Sequence, residues 1–255
     1  MEFIDTHAHL YDEAFSGEED QAVARSVEAG VSKIIFPDID SATRDLMFEI
    51  AGRHEGTVFP CLGLHPTSIG ADWEQEMEKL EPWLSKPIWA IGEIGMDCYW
   101  SKEFIREQQA ALKLQLELAD KLSLPVIIHS RDAAKDTYDI MLAHNAGQIG
   151  GVIHCYSYSP EMALDYVKMG FYIGIGGVVT FKNGKKMKEV VEAVPIERIL
   201  LETDSPYLAP EPNRGKRNSS LNIPYIAQKI AEIKGLSYEE VVSITEANAL
   251  KMYRL

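Results

Sequence analysis

The stretch Phe3-Ile4-Asp5-Thr6-His7-Ala8-His9 begins as a short apolar strand and ends in two histidines that are two residues apart. Side chains at positions i and i+2 of a strand point to the same side, so both imidazoles can face one point. A doubly wound open sheet would more often have a glycine-rich loop after its first strand, where this chain has His-Ala-His. The stretch therefore favours a closed barrel over a doubly wound sheet.

Short apolar runs recur along the rest of the chain, and amphipathic stretches lie between most of them. Strands are predicted at residues 2–6, 33–37, 57–62, 88–93, 125–129, 151–154, 171–175 and 199–203. Helices are predicted at residues 72–85, 103–122, 132–144, 160–169, 183–194, 223–234 and 238–250. Nearly continuous apolar strands that alternate with helices are typical of a buried parallel sheet with right-handed crossovers. Eight such units close most naturally into a (β/α)8 barrel, whose usual length of about 250 residues suits this chain.

The composition is that of an ordinary globular protein, with 46% hydrophobic and 25% charged residues among 255. We expect a single domain over residues 1–255, without a membrane segment, a signal peptide or an obligate protein partner. The three cysteines form no CxxC pair, which favours a reducing, cytoplasmic location and buried apolar roles for all three.

The net charge of -14 excludes a general nucleic-acid coat, because non-specific binding depends on neutralising phosphates with Lys and Arg. An anionic substrate would need metal ions or a local basic loop. Residues 181–188 and 213–217 are two candidate loops, and a solvated surface is the alternative for both.

Four histidines and two carboxylates fall at the ends of predicted strands, which a barrel brings to one rim. They are His7, His9, Glu93, His129, His154 and Asp204. This donor set indicates a metal site for two ions, with a polar rim or hydrogen-bonded core histidines as the alternative. The two oxygens of Glu93 can bridge two cations, unless backbone amides of its glycine-rich turn satisfy them. Asp204 follows the last strand, which neighbours the first strand in a closed barrel, so it can reach an ion held by His7 and His9.

Other polar residues near these strand ends are expected to support the ligands or to contact a substrate. Asp97 and Glu202 are predicted to support the metal ligands. His65 is a candidate for substrate contact or for capping a turn, and Arg131 for holding an anion or for a surface salt bridge.

Seven segments together resemble the TatD family of metal-dependent hydrolases, a branch of the amidohydrolase-like TIM barrels. They are residues 5–10 (DTHAHL), 63–66 (GLHP), 92–97 (GEIGMD), 125–131 (PVIIHSR), 153–157 (IHCYS), 201–210 (LETDSPYLAP) and 214–218 (RGKRN). The resemblance spans nearly the whole chain and implies an α/β fold, a (β/α)8 TIM barrel with a C-terminal extra helix. It also implies two divalent metal cations per chain. His7, His9 and Asp204 would bind the first, His129 and His154 the second, and Glu93 would bridge them.

Many members of this family are described as deoxyribonucleases, and some remove nucleotides from a 3′ end. The resemblance therefore implies a DNA substrate and phosphodiester cleavage, with a bridging water activated by Mg, Mn or Zn as the nucleophile. Glu93 and Asp204 are the expected catalytic residues. We expect phosphate contacts from four residues, namely His65, Arg131, Arg214 and Arg217.

Two other functions fit the same residues. An amidohydrolase-like enzyme of this architecture would direct its nucleophile at a C–N or C–O bond of a small molecule. A scaffold or sensor would bind metal without catalysis, but it needs no open coordination position, and six side-chain ligands on two ions leave several open. The basic loop at residues 214–217 favours the phosphodiesterase.

Overall fold

The computed structural model describes residues 2–255 and shows an α/β fold in which the strands pair in parallel. The strands are β1 Phe3–Asp5, β2 Val31–Phe36, β3 Val58–Pro60, β4 Ile91–Asp97, β5 Val126–Arg131, β6 Gly151–Ile153, β7 Tyr172–Ile175 and β8 Ile199–Leu201. All eight predicted strands are present, and their ends differ from the predicted ones by a few residues.

The strands form two sheets that meet at both edges. One sheet has the order β1-β2-β3 and the other the order β4-β5-β6-β7-β8. Leu62 pairs with Ile91 to connect the end of β3 to β4, and Ala8 pairs with Ser205 to connect the ends of β1 and β8. These two parallel bridges close the ring, so the predicted (β/α)8 TIM barrel is confirmed.

Ten α-helices surround the strands of the described chain. They are α1 Glu19–Glu28, α2 Arg44–Arg53, α3 Trp73–Glu78, α4 Ile105–Leu122, α5 Ala134–Ala143, α6 Ala146–Ile149, α7 Pro160–Met169, α8 Lys185–Ala193, α9 Ile223–Lys234 and α10 Tyr238–Tyr253. The helix predicted at residues 72–85 is divided in the structure into α3 and a 3-10 helix at Glu81–Ser85. Pro82 explains the division, because proline lacks the N–H that a continuous helix needs at this position.

The C-terminal helix α10 lies across the amino ends of the strands. A capping box between Ser237 and Glu240 starts the helix. The Asn248 side chain donates hydrogen bonds to the carbonyls of Ile196 and Ile199, where β8 begins. The predicted extra helix is therefore part of the barrel's closed end.

An apolar cluster fills the barrel interior at the same end. Its members come from the strands, from residues next to them and from α10. They are Ile4, Ile35, Phe59, Cys61, Ala90, Ile127, Val152, Tyr172, Leu200, Ala249, Met252 and Tyr253. A larger apolar layer packs the helices against the outside of the strands. With the amino end filled, polar side chains inside the barrel are confined to its carboxyl end.

No helix formed by residues 2–255 combines the length and the apolar character that crossing a bilayer requires.

Candidate metal centre

The carboxylate of Glu93, in β4, is the point on which the predicted ligands converge. Its Oε2 atom lies 3.1 Å from His7 Nε2 and 3.8 Å from His9 Nε2. Its Oε1 atom lies 2.9 Å from His129 Nδ1 and 3.6 Å from His154 Nε2. The two oxygens therefore face two different pairs of histidines, as a carboxylate between two cations would.

Asp204 joins this cluster from the end of β8. Its Oδ1 atom lies 4.0 Å from His7 Nε2, 3.8 Å from His9 Nε2 and 3.9 Å from His154 Nε2. The fold therefore brings all six side chains of the predicted donor set together, although they span almost the whole chain.

Hydrogen bonds on the outer side of three histidines set which ring nitrogen faces the cluster. Tyr11 donates its hydroxyl proton to the Pro37 carbonyl, so it accepts a hydrogen bond from His9 Nδ1, 2.8 Å away. The Nε2 lone pair of His9 is then directed inward. Such a partner on the outer nitrogen is the usual arrangement of a metal-binding histidine.

Carboxylates are the partners of the outer ring nitrogens of the other two histidines. His154 Nδ1 lies 3.2 Å from Glu202, and His129 Nε2 lies 2.9 Å from Asp97. The supporting positions predicted for Asp97 and Glu202 agree with these contacts. His7 Nδ1 is buried and has no hydrogen-bond partner within residues 2–255.

Two glycines allow these side chains to approach each other. A Cβ atom on Gly95 would lie 1.9 Å from the carbonyl oxygen of His129, and this residue has a φ of +145°. A Cβ atom on Gly174 would lie 2.3 Å from Glu202 Oε2. Neither position can hold a larger side chain unless β5 or Glu202 moves.

A buried ion pair fixes the backbone on which Glu93 lies. Asp38 exchanges backbone hydrogen bonds with Gly92 and Glu93, of 2.9 and 3.0 Å. Its carboxylate accepts a 2.6 Å hydrogen bond from Arg44 Nε and a 3.2 Å hydrogen bond from the Gly63 amide. Arg44 is only 1% exposed. This ion pair therefore stabilises the backbone that positions the Glu93 carboxylate.

The pKa values in the cluster reflect burial and the charges of neighbouring groups. Burial lowers the pKa of His9 to about 4, which keeps this imidazole neutral. Burial opposes charge on His154 too, but Glu202 and Glu93 outweigh it and raise the pKa of His154 to about 10. Burial would raise the pKa of Glu93, yet the neighbouring imidazoles, His7 first, lower it well below its usual range. A divalent cation bound beside Glu93 would supply positive charge at the same place.

The donor set therefore fits divalent metal ions. Four groups of side chains offer mutually close donor atoms. They are His7 with His9 and Asp204, His7 with His154 and Glu202, His65 with Glu93 and His129, and His154 with Cys155 and Asp204. Imidazole nitrogen suits zinc better than magnesium, which prefers oxygen ligands.

A cavity of about 560 Å³ opens above this cluster. His65 and Arg131, two of the predicted substrate contacts, are among the residues that line it. His65 Nε2 lies 3.4 Å from Glu93 Oε1, while its Nδ1 accepts a hydrogen bond from the Thr67 amide and caps a turn. His65 therefore caps a turn, which is one of its two interpretations from the sequence, and its contact with a substrate stays a prediction.

The two later arginines are not among the residues that line this cavity. Arg217 lies 2.7 Å from Glu18, and its guanidinium packs over Phe15. The Arg214 guanidinium lies 4.3 Å from the centre of the Phe181 ring. Their predicted contact with substrate phosphates stays a prediction, and it would require both side chains to leave these partners.

Sequence reasoning missed several residues of the site. Tyr11 belongs to it through His9, and Trp100 and Tyr207 line the cavity. The position of Tyr11, two residues after His9, is the one local signal that could have identified it. Nothing in the short loop at residues 98–104 distinguishes Trp100 from a core tryptophan before the fold is known.

Comparisons with known proteins agree with this geometry. The TatD-related DNase family model matches residues 4–254. The chain is 37% identical to the metal-dependent hydrolase YabD of Bacillus subtilis, over 99% of each protein. It is 32% identical to the human deoxyribonuclease TATDN3, over 98% of this chain and 94% of the human protein.

Solved structures give the same relationship. The crystal structure of YJJV, a TatD homologue from Escherichia coli, matches with a TM-score of 0.89 and 30% identity, over 99% of this chain and 98% of that one. The family match covers nearly all of the chain, and the candidate ligands lie inside it. This protein therefore belongs to the TatD-related DNase family and is a metal-dependent hydrolase.

Proposed function

We propose that this protein is a two-metal phosphodiesterase that removes nucleotides from the 3′ end of DNA. The observation that carries the proposal is the division of the histidines between the two oxygens of Glu93, beneath an open cavity that Arg131 lines. The human relative that is named a deoxyribonuclease supports DNA as the substrate.

We assign the six ligands to two ions. His7, His9 and Asp204, whose donor atoms lie close together, would hold one ion. His129 and His154 would hold the other, and Glu93 would contribute one oxygen to each. Bound divalent ions supply Lewis acidity, which makes water a nucleophile at neutral pH and neutralises charge on phosphoryl oxygens.

The protein's own groups provide orientation and proton transfer. The side chain of Asp204 is 15% exposed, whereas that of Glu93 is 3% exposed, so Asp204 is the carboxylate that a nucleophilic water can reach. It would orient that water and accept its proton. Arg131 and His65 would bind the non-bridging phosphate oxygens, because both line the cavity next to Glu93.

Positive charge within the cavity would also explain how an acidic protein can bind an anionic substrate. A protein with a net charge of -14 repels DNA at long range. Two divalent ions would add positive charge where the scissile phosphate has to lie. The metal-free protein should therefore bind DNA poorly.

The test is turnover of a 5′-labelled single-stranded oligonucleotide by protein that has been stripped with a chelator and reloaded with Mg, Mn or Zn. We expect shortened products from the 3′ end with at least one ion, and none from a Glu93→Gln variant. A His144→Gln variant is the matched control, because His144 lies near Glu117 at the end of α5, away from the cavity. If no ion supports nuclease activity while a lactone or an amide is hydrolysed, the small-molecule hydrolase replaces this proposal.

A further inference from the structure

Two neighbouring aromatic residues lie exposed at the mouth of the cavity. Tyr99 is 53% exposed and Trp100 is 71% exposed, directly after the end of β4. Trp100 is among the residues that line the cavity above Glu93. A large flat side chain with this much exposed surface, in contact with a candidate active site, is available to a ligand.

One carboxylate connects this pair to the metal centre. Asp97 Oδ1 accepts hydrogen bonds from the amides of Tyr99 and Trp100, at 2.9 and 3.2 Å. Its other oxygen, Oδ2, lies 2.9 Å from His129 Nε2. The backbone that carries the aromatic rings is therefore held at a fixed position relative to a predicted metal ligand.

A cation lies against the same rings. The Arg131 guanidinium carbon is 3.6 Å from the centre of the Tyr99 ring and 5.6 Å from that of Trp100. The Tyr99 ring meets Trp100 edge to face, with centres 5.1 Å apart. Tyr99 and Arg131 thus both lie against the Trp100 ring, and most of the Trp100 surface stays exposed.

We propose that Trp100 is a stacking platform for an unpaired nucleobase of single-stranded DNA whose phosphodiester lies over Glu93. This inference rests on the phosphodiesterase proposed above and specifies its substrate. A nucleotide presents an anionic phosphate and a flat aromatic base side by side. The cavity presents the matching pair, a guanidinium in Arg131 and an indole in Trp100.

Stacking of this kind has two consequences for the substrate. Every base has a π-face, so a single indole binds bases with little sequence preference. The faces of bases within a duplex are covered by their neighbours, so the platform selects single strands or frayed 3′ ends.

The experiment measures binding by the full-length, metal-loaded protein. The probe is a fluorescein-labelled octathymidylate with phosphorothioate linkages, which resist hydrolysis during an anisotropy titration. A second probe carries the same backbone with abasic residues in place of the thymidines. The variants are Trp100→Ala, Trp100→Phe and, as a matched exposed aromatic outside the cavity, Tyr225→Ala, since Tyr225 is 43% exposed on α9.

We expect Trp100→Ala to weaken binding of the thymidine probe by about 5- to 100-fold, which is the usual range for loss of one base–aromatic stack. Trp100→Phe should recover most of the affinity, and Tyr225→Ala should bind as the wild type does. Affinity for the abasic probe should be low and nearly independent of Trp100. Binding of the thymidine probe that is unchanged in Trp100→Ala, or an equal loss on both probes, would overturn the platform, as would a wild type that binds neither.

The outcome separates the two proposals. If the protein binds the thymidine probe through Trp100 but hydrolyses no phosphodiester with any ion, the platform stands and the proposed reaction fails. If it degrades DNA with no dependence of affinity on Trp100, the reaction stands and the platform fails.

Discussion

The two ends of the barrel are built from the same strands, yet they contain opposite kinds of side chains. At the amino end, Leu200 of β8 is fully buried among apolar residues from the other strands and α10. Two residues on, Glu202 is also fully buried but bonds to His154 and to the Cys155 amide. Two residues further, Asp204 reaches the metal centre and the cavity.

The comparison shows that depth in the barrel decides what a side chain contributes. Burial at the closed end is favourable because apolar area leaves water. At the open end, burial without partners would be costly for every carboxylate and imidazole. The polar end is tolerable because its members satisfy each other and because cations can bind there, so the fold's stability is expected to come mainly from the apolar end.

The largest effect that this comparison predicts is loss of activity without loss of fold. Replacing Glu93 by Ala removes the group that lies near both sets of histidines. We expect phosphodiester turnover to fall on the order of a thousand-fold or more, with metal content reduced as well. The melting temperature of the metal-free variant should stay close to that of the metal-free wild type. Turnover assays, metal analysis and thermal unfolding monitored by circular dichroism measure these three quantities, and unchanged turnover would remove the role assigned to Glu93.

The complementary change is at the closed end. Replacing Leu200 by Ala leaves a cavity among fully buried neighbours such as Ile127 and Ile35. The free energy of unfolding should fall by about 2–5 kcal/mol. Turnover per folded molecule, with saturating metal, should stay within a few-fold of the wild type. Urea unfolding followed by activity measurements at low temperature provides both numbers. A large loss of turnover in a fully folded Leu200→Ala variant would show that the two ends of the barrel are not independent.

The layer between the two ends should give an intermediate result. Glu202→Gln retains the size of the side chain but removes the charge that faces His154 Nδ1. Loss of such a partner typically weakens metal affinity by about 10- to 100-fold. We therefore expect higher metal concentrations to restore turnover in this variant, whereas they should not restore it in Glu93→Ala. Metal titration of chelated protein distinguishes the two, and equal metal affinity in Glu202→Gln and wild type would contradict the supporting role.

Much of this arrangement could be predicted from the sequence because its signals are local. Each ligand follows or ends an apolar run, so His129 and His154 could be placed at strand ends without any knowledge of the fold. The helices α1, α2 and α6 were not predicted. In α1 only Val23 and Ser26 are buried, and most of its residues are polar, so it offers few apolar residues from which a helix could be predicted.

Contacts between distant parts of the chain have no such signal. The backbone bonds of Asp38 to Gly92 and Glu93 join β2 to β4, and neither segment indicates the other. Arg217 was expected at substrate because it lies in a basic loop, but its nearest carboxylate belongs to Glu18, almost the whole chain away. Composition can predict that a loop is cationic, but the fold determines which anion it meets.

The smallest predicted effect comes from a substitution at the start of α10, away from the metal centre, and it tests whether the closed end influences that centre. Ser237 caps α10 by accepting a hydrogen bond from the Glu240 amide, and the Glu240 carboxylate bonds back to the Ser237 amide at 2.8 Å. Replacing Ser237 by Ala leaves the Glu240 amide without its partner, which should cost about 1 kcal/mol of unfolding free energy. Turnover and metal affinity should be unchanged, because the side-chain bonds of Ser237 are with Glu240 at the start of α10. Matched urea unfolding curves and metal titrations of Ser237→Ala and wild type measure both quantities. A shift in metal affinity caused by this substitution would mean that the apolar interior transmits strain from the closed end to the metal centre.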